Sequence, residues 1–175
     1  MSATVQECQF PAKSALDSAF IDRAYYRDSY TIDLKDSKSS PETIFIAVFG
    51  HRPGWMKVAM LGRNWIAARF GLEVSSPAEV MKPILAEVHT VGGRIGGWPI
   101  YTLTELELVA GRDNKHLDFR VSVLKEENKE DGCVVISTVC AVHNTFGKLY
   151  LSLILPFHRF GVRWLITSAK VAGRL

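Results

Sequence analysis

The sequence holds three cysteines in 175 residues, Cys8, Cys133 and Cys140. An odd, sparse count excludes a disulfide framework. Cys133 and Cys140 stand seven apart on one strand-like run, so their side chains point to opposite faces and do not pair. No cysteine has a CxxC or Cys-plus-His spacing, and the five histidines form neither HxH nor HExxH. No metal site and no cofactor are therefore expected. Long apolar runs are missing too. The longest candidate, Leu149 to Phe157, is interrupted by Ser152 and Pro156, well short of the roughly 20 residues a membrane-spanning helix requires. The opening MSATVQECQF has neither the basic start nor the apolar stretch of a secretory signal. These absences point to reduced thiols in the cytoplasm. Repeats, linkers and low-complexity tracts are also lacking, so residues 1–175 read as one domain, with 1–24 an N-terminal extension or short helix.

Acidic residues are missing from two long blocks. Thr43 to Leu72 has none, against Arg52, Lys57, Arg63 and Arg69. Gly132 to Leu175 has none, against Lys148, Arg159, Arg163, Lys170 and Arg174. The two blocks carry +9 and the remainder −6, which the overall +3 conceals. Local positive fields of this kind attract phosphates, lipid headgroups or acidic partners. Nucleic acid is not expected, because the basic residues are not interleaved with aromatics in a recognised binding motif.

What is present is ordinary globular material. The chain is 47% hydrophobic and 22% charged, which excludes a disordered chain. At this size about 70% of the unfolded surface is buried on folding, so a core forms without metal or disulfide help. Tyr26, Asp28, Tyr30, Ile32 and Leu34 alternate with Arg27, Ser29, Thr31 and Asp33, the signature of a strand with one mostly apolar face. Ser40-Pro41 starts a helix that ends at Gly50. A second helix from Trp55 places Trp55, Ala59, Gly62, Ile66 and Phe70 on one apolar stripe, with close approach of another element expected at Gly62. Ser76-Pro77-Ala78-Glu79 is a capping box, and Pro83 keeps that helix short. The GGRIGG string at Gly92–Gly97 is neither GxGxxG nor a P-loop and reads as bends leading into a strand.

Strands follow. Ile100 to Val109 carries a phase slip that predicts a bulge near Glu105. Leu117, Phe119, Val121 and Val123 alternate with His116, Asp118, Arg120 and Ser122. A charged loop, KEENKEDG, precedes Cys133 to Val142, apolar on both faces and so covered on both. Leu149, Leu151, Leu153 and Leu155 read as the core face of one more strand. Pro156 then begins a helix to Gly173, with Val162, Leu165, Ile166, Ala169 and Ala172 inward and Arg159, Arg163, Lys170 and Arg174 opposite.

An antiparallel sheet needs a cover, and a terminal amphipathic helix supplies one. The fold class is α+β. The order of a strand, two inserted helices, further antiparallel strands and a long C-terminal helix resembles the helix-grip fold of START lipid-binding domains, birch-pollen-allergen-like proteins and polyketide cyclases (the SRPBCC-like superfamily). That resemblance implies a sheet curled round the last helix, with a cavity between them. His116-Leu117-Asp118-Phe119, His143-Asn144-x-x-Gly147-x-x-Tyr150 and Pro156-Phe157-His158-Arg159 further resemble an uncharacterised bacterial family known by the strings HLDF, HN-x-x-G-x-x-Y and PFHR. This second resemblance implies no activity and supports the helix-grip reading.

The candidate catalytic residues are His143, His158 and Tyr150. His143 ends a strand, where a neutral imidazole can serve as general base while Tyr150 or Asn144 holds a carbonyl oxygen. His158-Arg159 is expected at a helix N-terminus, whose unpaired N–H groups suit a carboxylate or phosphate. Asn144, Arg159, His116, Asp118 and Trp164 are the candidate ligand-binding residues. His116 and Asp118 share a strand face, and Trp164 is a possible pocket wall. The leading functional expectation is carriage of a small hydrophobic or anionic amphiphilic molecule, such as a lipid, between the sheet and the last helix. The alternatives are an acid–base enzyme of cyclase or hydratase type, and a basic module for anionic membrane surfaces.

Overall fold

The computed structural model describes residues 5–69, 71, 74–82, 84, 89–126 and 132–175. The elements are β1 Gln6–Glu7, α1 Ser18–Asp22, β2 Ala24–Asp33, α2 Pro41–Phe49, α3 Gly54–Arg69, α4 Pro77–Met81, β3 Arg94–Ile95, β4 Trp98–Leu103, β5 Glu107–Arg112, β6 Leu117–Glu126, β7 Cys133–Val142 and α5 Thr145–Val171. The strands form a seven-stranded sheet in the order β1-β2-β7-β6-β5-β4-β3, and every neighbouring pair is antiparallel. The fold is therefore α+β, an antiparallel sheet with a long C-terminal helix. Phe70, Pro83 and residues 127–131 of the expected charged loop lie outside the described residues.

Period two decides which side chain faces which layer. On one face of the sheet Ile32, Leu108, Val121, Val123 and Ile136 meet α2 and the C-terminal half of α5, where Ile44, Phe45, Val162, Leu165, Ile166 and Ala169 complete the main core. On the other face the N-terminal segment lays Leu16 and Phe20 over Val109, Val139 and Ala141. β7 lies between β2 and β6 and is buried along nearly its whole length, as its apolar run requires. Glu107 fastens the N-terminal cover. It is 2% exposed and accepts hydrogen bonds from Ser14 Oγ (2.6 Å), Ser122 Oγ (2.6 Å) and the backbone N–H of Ala15.

Three expectations are corrected. Residues 149–155 are helix, not strand. Phe146 to Leu153 contains no β-branched residue, and Leu and Lys favour helix. Asn144 caps the start by accepting from Gly147 N–H, and Pro156 is held inside the helix. In a helix the alternating leucines fall on two opposite faces, so Leu151 is buried while Leu149 and Leu153 face out. Second, the phase slip after Ile100 is a hairpin. Thr104 ends β4, its Oγ1 accepts from Leu106 N–H and Glu107 N–H, and the register irregularity falls between Ile100 and Thr102. Third, the α3 stripe faces outward. Met56, Asn64 and Ala67 are its buried residues, whereas Trp55, Ala59, Gly62 and Ile66 are exposed, and nothing approaches within 4 Å of where a Gly62 Cβ would stand. The close approach occurs instead at Gly147, where a Cβ would come within 2.2 Å of the His116 carbonyl oxygen. Only glycine lets the first turn of α5 sit this near the start of β6.

Candidate functional site

The chain places two Asp–His pairs on opposite faces of the sheet. On the helix face, β2 directs Tyr26, Asp28 and Tyr30 towards α5. Asp28 Oδ2 accepts from Tyr26 Oη (2.8 Å) and Tyr30 Oη (3.2 Å), and His158 Nε2 faces it at 3.5 Å. The Asp28 side chain is 1% exposed and that of His158 26%. Asp28 Oδ1 and His158 Nε2 are both buried without a well-formed hydrogen bond, and the two side chains meet at 3.5 Å. Burial pushes the Asp28 carboxyl up, but His158 and the two tyrosine hydroxyls outweigh it and hold it below its ordinary value. Burial, and then the Asp28 charge, push Tyr30 up to about 12. Burial raises Tyr26 as well, against the pull of Arg159. Arg159 Nε donates to Tyr26 Oη at 3.0 Å, and its guanidinium lies 5.6 Å from the centre of that ring. Burial also pushes the Cys140 thiol, opposite Tyr26 on β7, up to about 12.

On the other face, Asp118 Oδ1 accepts from His143 Nε2 (3.0 Å) and Asn114 N–H (3.0 Å), with Arg23 Nη2 at 3.9 Å from Oδ2. Asn144 joins the neighbouring turn. Its Oδ1 caps α5 through Gly147 N–H, which leaves Nδ2 to donate to His116 Nδ1 at 2.9 Å. The His116 ring packs edge-on against Phe146, at 4.8 Å between centroids.

Sequence reasoning separated these groups differently. His143 does not meet Tyr150. His143 lies on the Asp118 face, whereas Tyr150 stands in the second turn of α5, packed with Ala67 and Leu117 on the other. The Tyr150 hydroxyl is buried without a hydrogen-bond partner, and burial raises its pKa against the nearby Arg63 charge. His158-Arg159 is no helix N-terminus, because α5 begins at Thr145 and the backbone N–H groups at 158–159 belong to its interior. Arg159 pairs with Tyr26. Trp164 is half-buried against the core and meets Trp55 edge-on at 5.7 Å. Asp28, Tyr26 and Tyr30 were missed as functional candidates. The signal was a carboxylate at an inward position of an otherwise apolar strand face, a placement that demands partners.

A surface feature accompanies the helix-face pair. α3 runs antiparallel beside α5: Trp55 meets Phe160 (6.3 Å) and Trp164 at one end, and Arg63 lies over the Tyr150 ring (5.4 Å) at the other. Leu149, Leu153, Phe157 and Phe160 form an outward ridge on α5, while Trp55, Val58, Trp65 and Ile66 point out from α3. Phe157 is 79% exposed and Trp65 64%, values foreign to a core. Lys148, Arg159 and Arg163 flank the α5 ridge, and Arg63 and Arg69 lie exposed on α3. A separate cleft of about 370 Å³ opens on the opposite face, between the N-terminal segment and the sheet, lined by residues including Pro11, Lys13, Thr104, Glu107 and Glu126. Among the described residues no group of three or more His, Cys, Asp or Glu is placed to hold a metal ion, and no helix is long and apolar enough to cross a membrane.

The sequence profile of one family matches residues 20–165. The chain belongs to the DUF2867 family, described as proteins of unknown function. The DUF2867 span runs from α1 into the last turns of α5, so both Asp–His pairs, the α3 stripe and the α5 ridge lie inside it, and most of the N-terminal cover lies outside. No curated protein matches the chain.

Proposed function

We propose that this protein binds the surface of an anionic lipid layer through the outward faces of α3 and α5. The observation that carries the reading is the run of exposed apolar side chains on two adjacent helices with no acidic residue in either. A soluble surface does not gather two tryptophans and two phenylalanines at half or more exposure without a use for them. Apolar side chains that enter the headgroup boundary, flanked by cations that meet anionic lipids, are the physics of an interfacial helix. The same charges argue against a second copy of the chain as occupant, because a symmetric contact here would set cations against cations. The acid–base reading has less support, since His143 and Tyr150 stand on opposite faces of the sheet. Carriage of an amphiphile between sheet and helix also has less support, since the C-terminal half of α5 is occupied by core contacts.

Two finer readings belong with this proposal. The element order and the terminal helix packed on an antiparallel sheet support a helix-grip, SRPBCC-like kinship. An odd, sparse cysteine count supports a reducing cytoplasm, and so the inner leaflet as the surface met.

Co-sedimentation with vesicles tests the proposal. Binding to phosphatidylserine vesicles is expected to exceed binding to phosphatidylcholine vesicles and to weaken with salt. Phe157→Ser is expected to lower affinity about tenfold, the contribution of about one buried aromatic side chain. Equal, salt-insensitive binding to both vesicle types, or no binding to either, would overturn it.

A further inference from the structure

Arg159 and Arg163 stand four residues apart on α5, about 6 Å along its axis, both exposed and on the flank that faces β2. Each is steadied from beneath by a tyrosine of that strand. Tyr26 Oη accepts from Arg159 Nε (3.0 Å) while donating to Asp28 Oδ2 (2.8 Å), so the buried carboxylate orients the hydroxyl that orients the guanidinium. Arg163 lies 5.8 Å from the centre of the Tyr30 ring, and the Tyr30 hydroxyl also donates to Asp28. With Nε committed to Tyr26, the two Nη groups of Arg159 are left to turn outward. The acidic side chain that acts on Arg159 from across the sheet edge is Glu7, exposed on β1. Asp28 itself is sealed beneath His158 and the two tyrosines and presents no oxygen to a ligand.

We infer that Arg159 and Arg163, positioned by Tyr26, Tyr30 and Asp28, form a clamp for the phosphomonoester headgroup of a membrane lipid. A phosphodiester offers two free oxygens and one charge, enough for one guanidinium. A monoester offers three oxygens and up to two charges, which two fixed forks engage together. The clamp borders the apolar ridge at Phe157 and Phe160, so a headgroup held there leaves its chains in the layer those rings enter. The inference rests on the lipid-surface reading and adds a headgroup to it.

The test compares phosphatidylcholine vesicles containing phosphatidylserine with vesicles containing phosphatidic acid at matched surface charge. Phosphatidic acid is expected to bind about fivefold more tightly, about the worth of one extra basic contact at a lipid surface. Tyr26→Phe is expected to erase that preference while leaving phosphatidylserine binding within about twofold, and Arg159→Lys is expected to erase it as well, since a lysine keeps the charge and loses the fork. Glu7→Gln is expected to strengthen phosphatidic acid binding. Thermal melts of each variant confirm that the protein is folded at the temperature of the binding assay. If the variant Tyr26→Phe is unfolded at that temperature, Arg159→Lys alone decides, because Arg159 stands exposed on α5. Equal binding to the two anionic lipids, or equal losses on both in the variants, overturns the clamp and leaves the surface reading intact. Absence of binding to either lipid overturns both. Glycerol phosphate bound in solution, by calorimetry, as tightly as the vesicle lipid would assign the site to a free phosphate and overturn the lipid source.

Discussion

Asp28 and Asp118 each face a histidine, yet the two pairs are built for different ends. Asp118, itself 7% exposed, lies near the start of the central strand β6, with donors from His143, Asn114 and Arg23 arriving from separate segments, and its histidine stands 37% exposed. Asp28 is sealed between sheet and helix, with one oxygen left without a hydrogen bond and a histidine that is its main charge partner. Loss of any single donor to Asp118 leaves two others in place. Nothing replaces His158. The comparison teaches that the same two residue types are one tie among several in one place and an interior joint between α5 and β2 in the other.

The sharpest way to break that contrast is to remove each histidine. His158→Ala leaves a buried carboxylate with only two tyrosine hydroxyls and is expected to cost about 3 kcal/mol in denaturant unfolding. If it costs no more than the same change at His143, the interior joint is not one. Acid sharpens the contrast next. The folded pKa of Asp28 lies below its unfolded value, so its contribution is complete above the ordinary carboxylate range and is lost as pH falls through the folded value. The stability gap between the parent protein and Asp28→Asn is therefore expected to narrow on acidification and to close once both states of the parent are protonated. A gap that widens in acid contradicts the assignment.

How much of this was legible beforehand follows the same division. The strand carrying Asp28 was readable from its alternation, and β7 from its unbroken apolar run. The pairing of Asp28 with His158 was not, because it depends on where α5 begins. The leucines at 149, 151, 153 and 155 fit a two-residue period and in a helix fall on two opposite faces, so only the Asn144 cap and the lack of β-branched neighbours point to the helix. Placing the helix start at Pro156 made residues 158 and 159 a terminus and left His158 without its true partner. The α3 stripe failed for another reason. Periodicity shows that Trp55, Ala59, Gly62 and Ile66 share a face, but which way the face turns depends on the layer beneath it. Met56, Asn64 and Ala67 took the inner side. Asn64 did so because its amide bonds to the Ser75 carbonyl and to Arg63, removing the penalty for its burial.

Smaller changes grade the two regions further. Asn144→Ala removes the α5 cap and the bond to His116, and is expected to cost about 1 kcal/mol. Tyr26→Phe, which breaks the link from Asp28 to Arg159, is expected to cost a similar amount. Last, His143→Ala is expected to shift stability by about 1 kcal/mol or less, since His143 is partly exposed and Asp118 keeps the Asn114 N–H and Arg23. Urea titrations monitored by tryptophan fluorescence resolve the larger of these, and a double-mutant cycle across Asp118 and His143 resolves the smallest.

The Glu107 fastening makes residues 5–20 a lid on the sheet rather than a tail. A shortened chain starting at Phe20 would strip Leu16 from above Val109, Val139 and Ala141 and take two of the donors from an acid that lies sealed within the sheet. Such a chain would keep its helix side whole and still turn sticky on the reverse, so trimming a gene to the matched span invites clumping in the test tube.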